Sequence, residues 1–369
     1  MDTLRKSDAL HERVRAVIHA FERRETSPEP FDAIAADLAR FQAEHVAGYG
    51  RLCAVQGVEP ASIEFARQAP AVPTDAFRLS DVFAFDASAA AATFRTSGTT
   101  VGARGVHRMR DVRTYDAAAI AFGRALLFSG IGPPVAVLVL GPSPSEAPDS
   151  SLSHMCALFA RTLGLPEAEE RTFFVRRGIL DVDTLRERIG GLAQSTPAIV
   201  LATSFALVHL IDAVGREVLA LPARSRVMQT GGFKGKSREV DRVDLAGAVA
   251  HAFAVERGAI IGEYGMTELS SQFWEGGPTR DDRRVYLEPP WARVIPVDPQ
   301  TLAPVADGDA GIARIEDLAN VDSAFAVITQ DRVRRRGAGF DLLGRVAGAS
   351  ARGCSIALEE MLLSPQSGA

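Results

Sequence analysis

The segment Thr96-Ser97-Gly98-Thr99-Thr100 runs directly into Val101-Gly102-Ala103-Arg104-Gly105. Glycines let backbone amides approach an anion with no Cβ in the way, and hydroxyls beside a cation hold phosphate oxygens. By composition the segment suits a phosphate clamp, but composition alone favours a Ser/Thr-rich turn after a strand. A second cluster, Gly262-Glu263-Tyr264-Gly265-Met266-Thr267-Glu268, follows the apolar run GAIIG. Its carboxylate is a hard oxygen ligand suited to Mg2+ and its aromatic ring suits a purine face, although a strand-end turn has the same residues. Further along, Asp331 in Ile328-Thr329-Gln330-Asp331-Arg332 reads by itself as a surface carboxylate. Cys354 stands in Arg352-Gly353-Cys354-Ser355. A free cysteine is most often a small buried hydrophobe. Against that, Gly353 permits close backbone approach and Arg352 favours a thiolate.

One segment points elsewhere. Thr230-Gly231-Gly232-Phe233-Lys234-Gly235-Lys236-Ser237 differs from a nucleotide-binding P-loop, GxxxxGK[ST], only by Thr230 in the first glycine position. A P-loop NTPase would use this segment and leave the two clusters idle. His107, His154 and His209 are assigned no role.

The first cluster resembles the TSGTTGxPKG phosphate loop of the adenylate-forming superfamily, which includes acyl-CoA synthetases and luciferases. Val101 stands there for Gly, Ala103 for Pro, and Arg104 for Lys, which keeps the charge. The second cluster resembles the YGxTE motif of the same superfamily, about 170 residues later and in the expected order. The resemblance implies that Thr96, Ser97, Gly98, Thr99, Thr100, Arg104 and Gly105 hold ATP phosphates. It implies that Tyr264 and Gly265 lie against adenine, that Thr267 contacts the α-phosphate and that Glu268 holds Mg2+. Asp331 falls in its TGD-like element, which binds the ribose hydroxyls, and Gly344-Arg345 matches its GR element. Gly231 and Gly232 become backbone of the adenine and acyl pocket.

The end of the sequence narrows the resemblance. Typical members continue past the GR element into a C-terminal lid of roughly 100 residues, and this sequence ends at Ala369, too soon after Arg345 to hold one. The closing GRVAGASARGCSIALEEMLLSPQSGA, with SSLSHM at 150–155 and GGFKGKS at 231–237, resembles the acyl-protein synthetases of luminous bacteria. That resemblance implies ATP-dependent activation of a carboxylic, typically fatty, acid as its acyl-adenylate. The acyl group then passes to Cys354 and on to a partner such as an acyl reductase. A catalytically inactive scaffold of the same fold is the remaining alternative.

The elements that must carry these residues follow from periodicity. Leu10, Val14, Val17, Ile18 and Phe21 recur at helical spacing, and residues 1–69 read as a helical segment packed on the core. Pro70 and Pro73 break that pattern. The apolar runs VAVLVLG, TFFVRRG, PAIVLATS, RVMQTGG and GAIIGEYG alternate with helical stretches, which predicts an α/β fold with an internal sheet. After residue 280 short runs separated by turns predict an antiparallel subdomain over about 280–340. The division expected is a helical segment 1–69, an adenylate-forming core 70–344 and a short tail 345–369 carrying Cys354. SPSEAPDSSLSH, at 143–154, reads as a polar surface loop.

Composition excludes other classes. The 369 residues are 47% hydrophobic and 24% charged, the balance of a chain with a full core. With 41 basic and 46 acidic residues the net charge is −5, so electrostatically driven nucleic-acid binding is not indicated. No apolar run approaches the roughly 20 residues that cross a bilayer, and the charged N-terminus lacks the apolar stretch of a signal peptide. Three cysteines without metal-ligand spacing suit a reducing cytoplasm.

Overall fold

The computed structural model describes residues 2–97, 103–231, 242–276, 284–346 and 352–362. Three helices open it, α1 (Asp2–Glu22), α2 (Phe31–His45) and α3 (Ala47–Val55). Leu10, Val14, Val17 and Ile18 of α1 are buried, so the helical stripe read in the sequence is the packing face. The helices end earlier than expected, at Val55, and only the short 3-10 turns Pro60–Ser62 and Ala66–Gln68 lie between them and Pro70. After them come β1 (Val72–Pro73), the single-turn α4 (Ala76–Leu79) and a hairpin of β2 (Ala92–Arg95) and β3 (Val106–Met109).

The middle of the chain alternates helix and strand: α5 (Arg113–Leu126), β4 (Ala136–Leu140), α6 (Ser151–Leu163), α7 (Glu169–Thr172), β5 (Val175–Arg176) and β6 (Ile179–Leu180). It continues with α8 (Val182–Gly190), β7 (Ala198–Thr203), α9 (Ser204–Val214), β8 (Arg226–Thr230), α10 (Arg242–Phe253) and β9 (Ile260–Tyr264). The rest is β10 (Phe273–Glu275), β11 (Tyr286–Leu287), β12 (Ala292–Val297), β13 (Ala310–Asp317), β14 (Ala326–Arg336), β15 (Gly339–Arg345) and α11 (Arg352–Leu362).

The chain forms two compact units. One comprises Met1–Ala121, Met266–Phe273 and Gly277–Ala369, and the other Phe122–Gly265 and Trp274–Gly276. This division does not follow chain order. The N-terminal helices and the C-terminal stretch, expected as a segment and a tail flanking one core, belong to the same unit.

In the second unit β4, β7, β8 and β9 pair in parallel, in the order β4-β7-β8-β9. All five residues of β4 and of β9 are buried. Uninterrupted apolar runs therefore mark strands covered on both faces, and α8, α9 and α10 supply part of that cover through Leu185, Leu207, Leu210, Val249 and Phe253. One run departs from expectation. Within TFFVRRG only Val175 and Arg176 are strand, because Arg177 and Gly178 both take positive φ (51° and 78°) and turn the chain back into β6. Two positive-φ residues in a row make the tight hairpin turn that fits strand twist. The loop expected over 143–154 is also partly helix. Ser150 caps α6 by accepting from the Ser153 amide at 3.1 Å, and Ser143 and Ser153 are buried.

In the first unit β12, β13, β14, β15 and β11 form an antiparallel sheet in that order, as the turn-rich texture after residue 280 suggests. β1 joins it in parallel, with Val72 opposite Val327 and Pro73 opposite Ile328. Trp291 is fully buried, its ring 5.6 Å from that of Phe21 on α1 and its Nε1 donating to Ser271 Oγ at 3.1 Å. The stretch expected as a tail after Arg345 contains a packed helix. Cys354, Ala357 and Met361 form the buried stripe of α11, and Arg51 Nε holds the far end by donating to the Met361 carbonyl at 2.9 Å.

Candidate active site

The hydroxyl-rich segment joins the two strands of the β2-β3 hairpin. Its two ends close on each other: the Thr96 amide donates to the Gly105 carbonyl, and the Gly105 amide to Thr96 Oγ1, both at 2.9 Å. Arg104 braces the same turn, its Nε donating to the Thr96 carbonyl at 2.5 Å and its Nη2 to the Arg95 carbonyl at 3.2 Å. Gly98, Thr99 and Thr100 lie outside the described residues.

Glu268 comes to this turn from the segment 266–272. A Cβ on Gly105 would stand 2.9 Å from Thr96 Cγ2 and 3.6 Å from Glu268 Oε1, so the carboxylate lies directly beside the turn. The two sequence clusters, far apart along the chain, therefore meet in space within the first unit. Glu268 itself is buried.

The backbone of 266–272 rests on buried polar groups. His107, on β3 and fully enclosed, places Nδ1 2.8 Å from the Thr267 carbonyl and Nε2 3.0 Å from Ser323 Oγ. A carbonyl only accepts, so Nδ1 carries the hydrogen and Nε2 accepts from the hydroxyl. Burial pushes this imidazole's pKa down to about 4, against smaller upward pulls from the Thr267 carbonyl and Asp322. Asn320 Nδ2 donates to the Glu268 and Ala324 carbonyls at 2.9 Å, and its Oδ1 accepts from Ser270 Oγ at 2.7 Å. Asp317 Oδ2 accepts the amides of Ser270 and Ser271, both at 2.9 Å. Burial raises the Asp317 carboxyl to about 6 in spite of those donors.

Asp331 and Arg345 face each other across β14 and β15, with Arg345 Nε 3.8 Å from Asp331 Oδ1. The pairing slips between Asp331 and Val333, a bulge that re-aims the strand at the candidate ribose acceptor. Its neighbour Gln330 donates to Asp75 at 3.2 Å. The same Asp75 acts on Cys354. That cysteine is buried in the first turn of α11, where the Gly353 amide donates to the Pro299 carbonyl at 3.0 Å. A Cβ on Gly353 would meet Leu302 Cδ2 at 2.7 Å, so a glycine is needed for this close seat. Burial first and Asp75 second push the thiol up to about 11. The expectation that Arg352 favours the thiolate is thus corrected: Arg352 is exposed at the helix start and desolvation dominates.

The remaining candidates belong to the second unit and sit at the carboxyl ends of its parallel strands, where α/β sheets bind ligands. Tyr264 is the buried last residue of β9 and Gly265 follows it. Gly231 follows β8 with φ of +70°, and its carbonyl accepts from Ser204 Oγ at 2.7 Å. Gly232, with the rest of the Gly-Lys-Ser stretch, lies outside the described residues. Thr230 and Glu263 are register partners at these strand ends, and the Thr230 hydroxyl donates to the Glu263 carboxyl. Burial lifts that carboxyl to about 7.

Sequence reasoning missed His107, Asn320, Asp317, Ser323 and Glu263. For Asn320, Asp317 and Ser323 the available signal was the density of polar residues between Glu316 and Ser323, set between two apolar strands; for His107 there was none. Such polar density makes sense when it serves the backbone of another segment. Among the described residues no group of three or more His, Cys, Asp or Glu forms a metal cage, and no helix is long and apolar enough to cross a membrane.

The fold is found in solved adenylate-forming ligases. The 2-hydroxyisobutyryl-CoA ligase in its postadenylation state, with 2-HIB-AMP, aligns with a TM-score of 0.61 at 14% identity over 85% of this chain and 68% of that one. The same ligase in its thioesterification state, with 2-HIB-AMP and CoA, gives 0.60 at 14% identity over 93% and 68%. Within this class the acyl-protein synthetase (LuxE) family model matches residues 21–363, and the chain belongs to that family. A long-chain-fatty-acid–luciferin-component ligase of Aliivibrio fischeri is 27% identical over 110 residues. That match spans 29% of this chain and 28% of the relative.

Proposed function

We propose that the protein activates a carboxylic acid with ATP as an acyl-adenylate and carries the acyl group onward as a thioester. The observation that supports the reading is the meeting of the Thr96–Gly105 turn with Glu268 at Gly105. Family membership supports it independently.

The chemistry suits the residues. A substrate carboxylate oxygen attacks the α-phosphorus of ATP, the bond to pyrophosphate breaks, and the acyl-adenylate forms. A carboxylate needs no base for this, so the protein's task is to position groups and stabilise charge. The turn from Thr96 to Gly105, with Arg104, holds phosphates; Thr267 contacts the α-phosphate; Asp331 takes the ribose diol; Tyr264 lies against adenine. Mg2+ is usually held by one or two carboxylates together with phosphates, so a single Glu268 fits an ion that arrives with ATP. That ion, when bound, offsets phosphate charge.

In the second half the Cys354 sulfur attacks the acyl carbon, AMP leaves with the bonding electrons, and the thiol proton passes to solvent. With a pKa near 11 only about one thiol in 10,000 is ionised at pH 7. The seat of α11 therefore corresponds to a resting thiol, and transfer requires a conformation in which Cys354 is unburied. The acid is of the fatty class and the final acceptor a partner protein such as an acyl reductase, by analogy with the luciferin-component ligase. Exchange of labelled pyrophosphate into ATP, dependent on added acid across a panel of chain lengths, tests the first half. Absence of exchange with every acid overturns it.

A further inference from the structure

We propose that His107 is a positioning residue for adenylation, setting the Thr267–Glu268 backbone against the strand that leaves the phosphate-binding turn. The inference rests on the adenylating reading and names a residue that the superfamily motifs do not include.

His107 is two residues beyond Gly105, on the strand that closes the turn. Its ring faces inward and makes two directional contacts, to the Thr267 carbonyl at 2.8 Å and to Ser323 Oγ at 3.0 Å. The edge of the Phe77 ring fixes the imidazole from a further side, with centroids 5.5 Å apart and planes at 74°. One imidazole thus ties three segments: β3, the 266–272 segment and the 317–325 connection. Because Gly105 and Glu268 approach each other only two residues away, displacement at Thr267 is transmitted to the place where Glu268 meets the turn. The low proton affinity of the buried ring keeps it in the neutral form that can donate at Nδ1 while accepting at Nε2. Both ring nitrogens are satisfied, as a buried imidazole requires, and the partner taken by Nδ1 is the carbonyl next to Glu268.

The test compares His107→Ala with His107→Asn, whose amide can still donate to the Thr267 carbonyl, and with Ser323→Ala, which removes the group that orients the ring. For His107→Ala the exchange rate at saturating ATP is expected to fall roughly 10- to 100-fold, the loss typical when an orienting partner of a ligand is removed. Apparent ATP affinity should change less. His107→Asn should recover most of the rate and Ser323→Ala should fall between. Wild-type kinetics in His107→Ala, or equal losses in Ala and Asn, would overturn the proposal in favour of simple packing. Should His107→Ala fail to fold, the Asn and Ser323→Ala variants decide on the same scale. If the wild-type protein exchanges with no acid, the adenylating reading fails separately. Amide hydrogen exchange of residues 266–272 then decides the positioning claim: faster in Ala and restored in Asn supports it, and unchanged protection overturns it.

Discussion

A Cβ on Gly105 would come to 3.6 Å from Oε1 of Glu268 and to 2.9 Å from Thr96 Cγ2, so this glycine is the point at which the two sequence clusters touch. Glu268→Gln keeps the shape and removes the charge. Pyrophosphate exchange should drop by orders of magnitude while the melting temperature stays within a few degrees of wild type. Gly105→Ala should act differently, forcing Thr96 aside at a cost of about 1–3 kcal/mol as well as slowing exchange. Exchange within a few-fold of wild type in Glu268→Gln would remove Glu268 from the site.

Asp331 and Arg345 form a weakly held pair at 3.8 Å, with the Arg345 side chain 61% exposed. Such a pair adds little to stability, about 0.5 kcal/mol or less. Asp331→Ala should therefore leave urea unfolding nearly unchanged and weaken ATP binding by a few kcal/mol, the loss of two charge-assisted hydrogen bonds. Calorimetric titration with ATP measures this. An unchanged affinity would mean that the ribose is held elsewhere.

Glu263 gives a pH signature in the second unit. Its folded pKa is near 7, above the usual 4.5, because burial disfavours the carboxylate. Between those values the unfolded chain releases its proton while the folded one keeps it, so stability falls as pH rises from about 4.5 to 7 and then levels off. A shift of this size corresponds to about 3 kcal/mol. Glu263→Gln should be more stable than wild type at pH 8, with the difference vanishing below about pH 4.5. A difference that is the same at pH 4 and pH 8 would show that Glu263 titrates normally.

The strands of the second unit were legible because both of their faces are covered, which leaves an unbroken apolar run. The clusters at Thr96 and Thr267 were legible because glycine, hydroxyl and carboxylate side chains are needed in a fixed order along the chain. What holds them was not. His107 serves a carbonyl 160 residues away and Asn320 one 52 residues away. Nothing local distinguishes such a histidine from one that packs in a core. TFFVRRG misled because its apolar half resembles the neighbouring strands, while the turn at Arg177-Gly178 depends on backbone angles. The helix α11 was in fact written at Cys354, Ala357 and Met361, but the small residues before it read as the start of a tail.

Cys354 carries the last prediction. Its seat is well made: the Gly353 amide binds the Pro299 carbonyl, Leu302 closes over the glycine, and Gln56 and Arg51 of the α3 region hold Glu360 and the Met361 carbonyl, each at 2.9 Å. A thiol so enclosed should react slowly with a neutral alkylating agent when the protein is alone. If Cys354 receives the acyl group, ATP with labelled acid should label the protein through a hydroxylamine-sensitive bond. Cys354→Ala should abolish the label and spare pyrophosphate exchange, because adenylation precedes thiolysis. Gly353→Ala, which drives a methyl group into Leu302, should loosen α11 and raise the alkylation rate of Cys354 relative to wild type. Label retained in Cys354→Ala would make this cysteine a packing residue and place the acyl acceptor elsewhere.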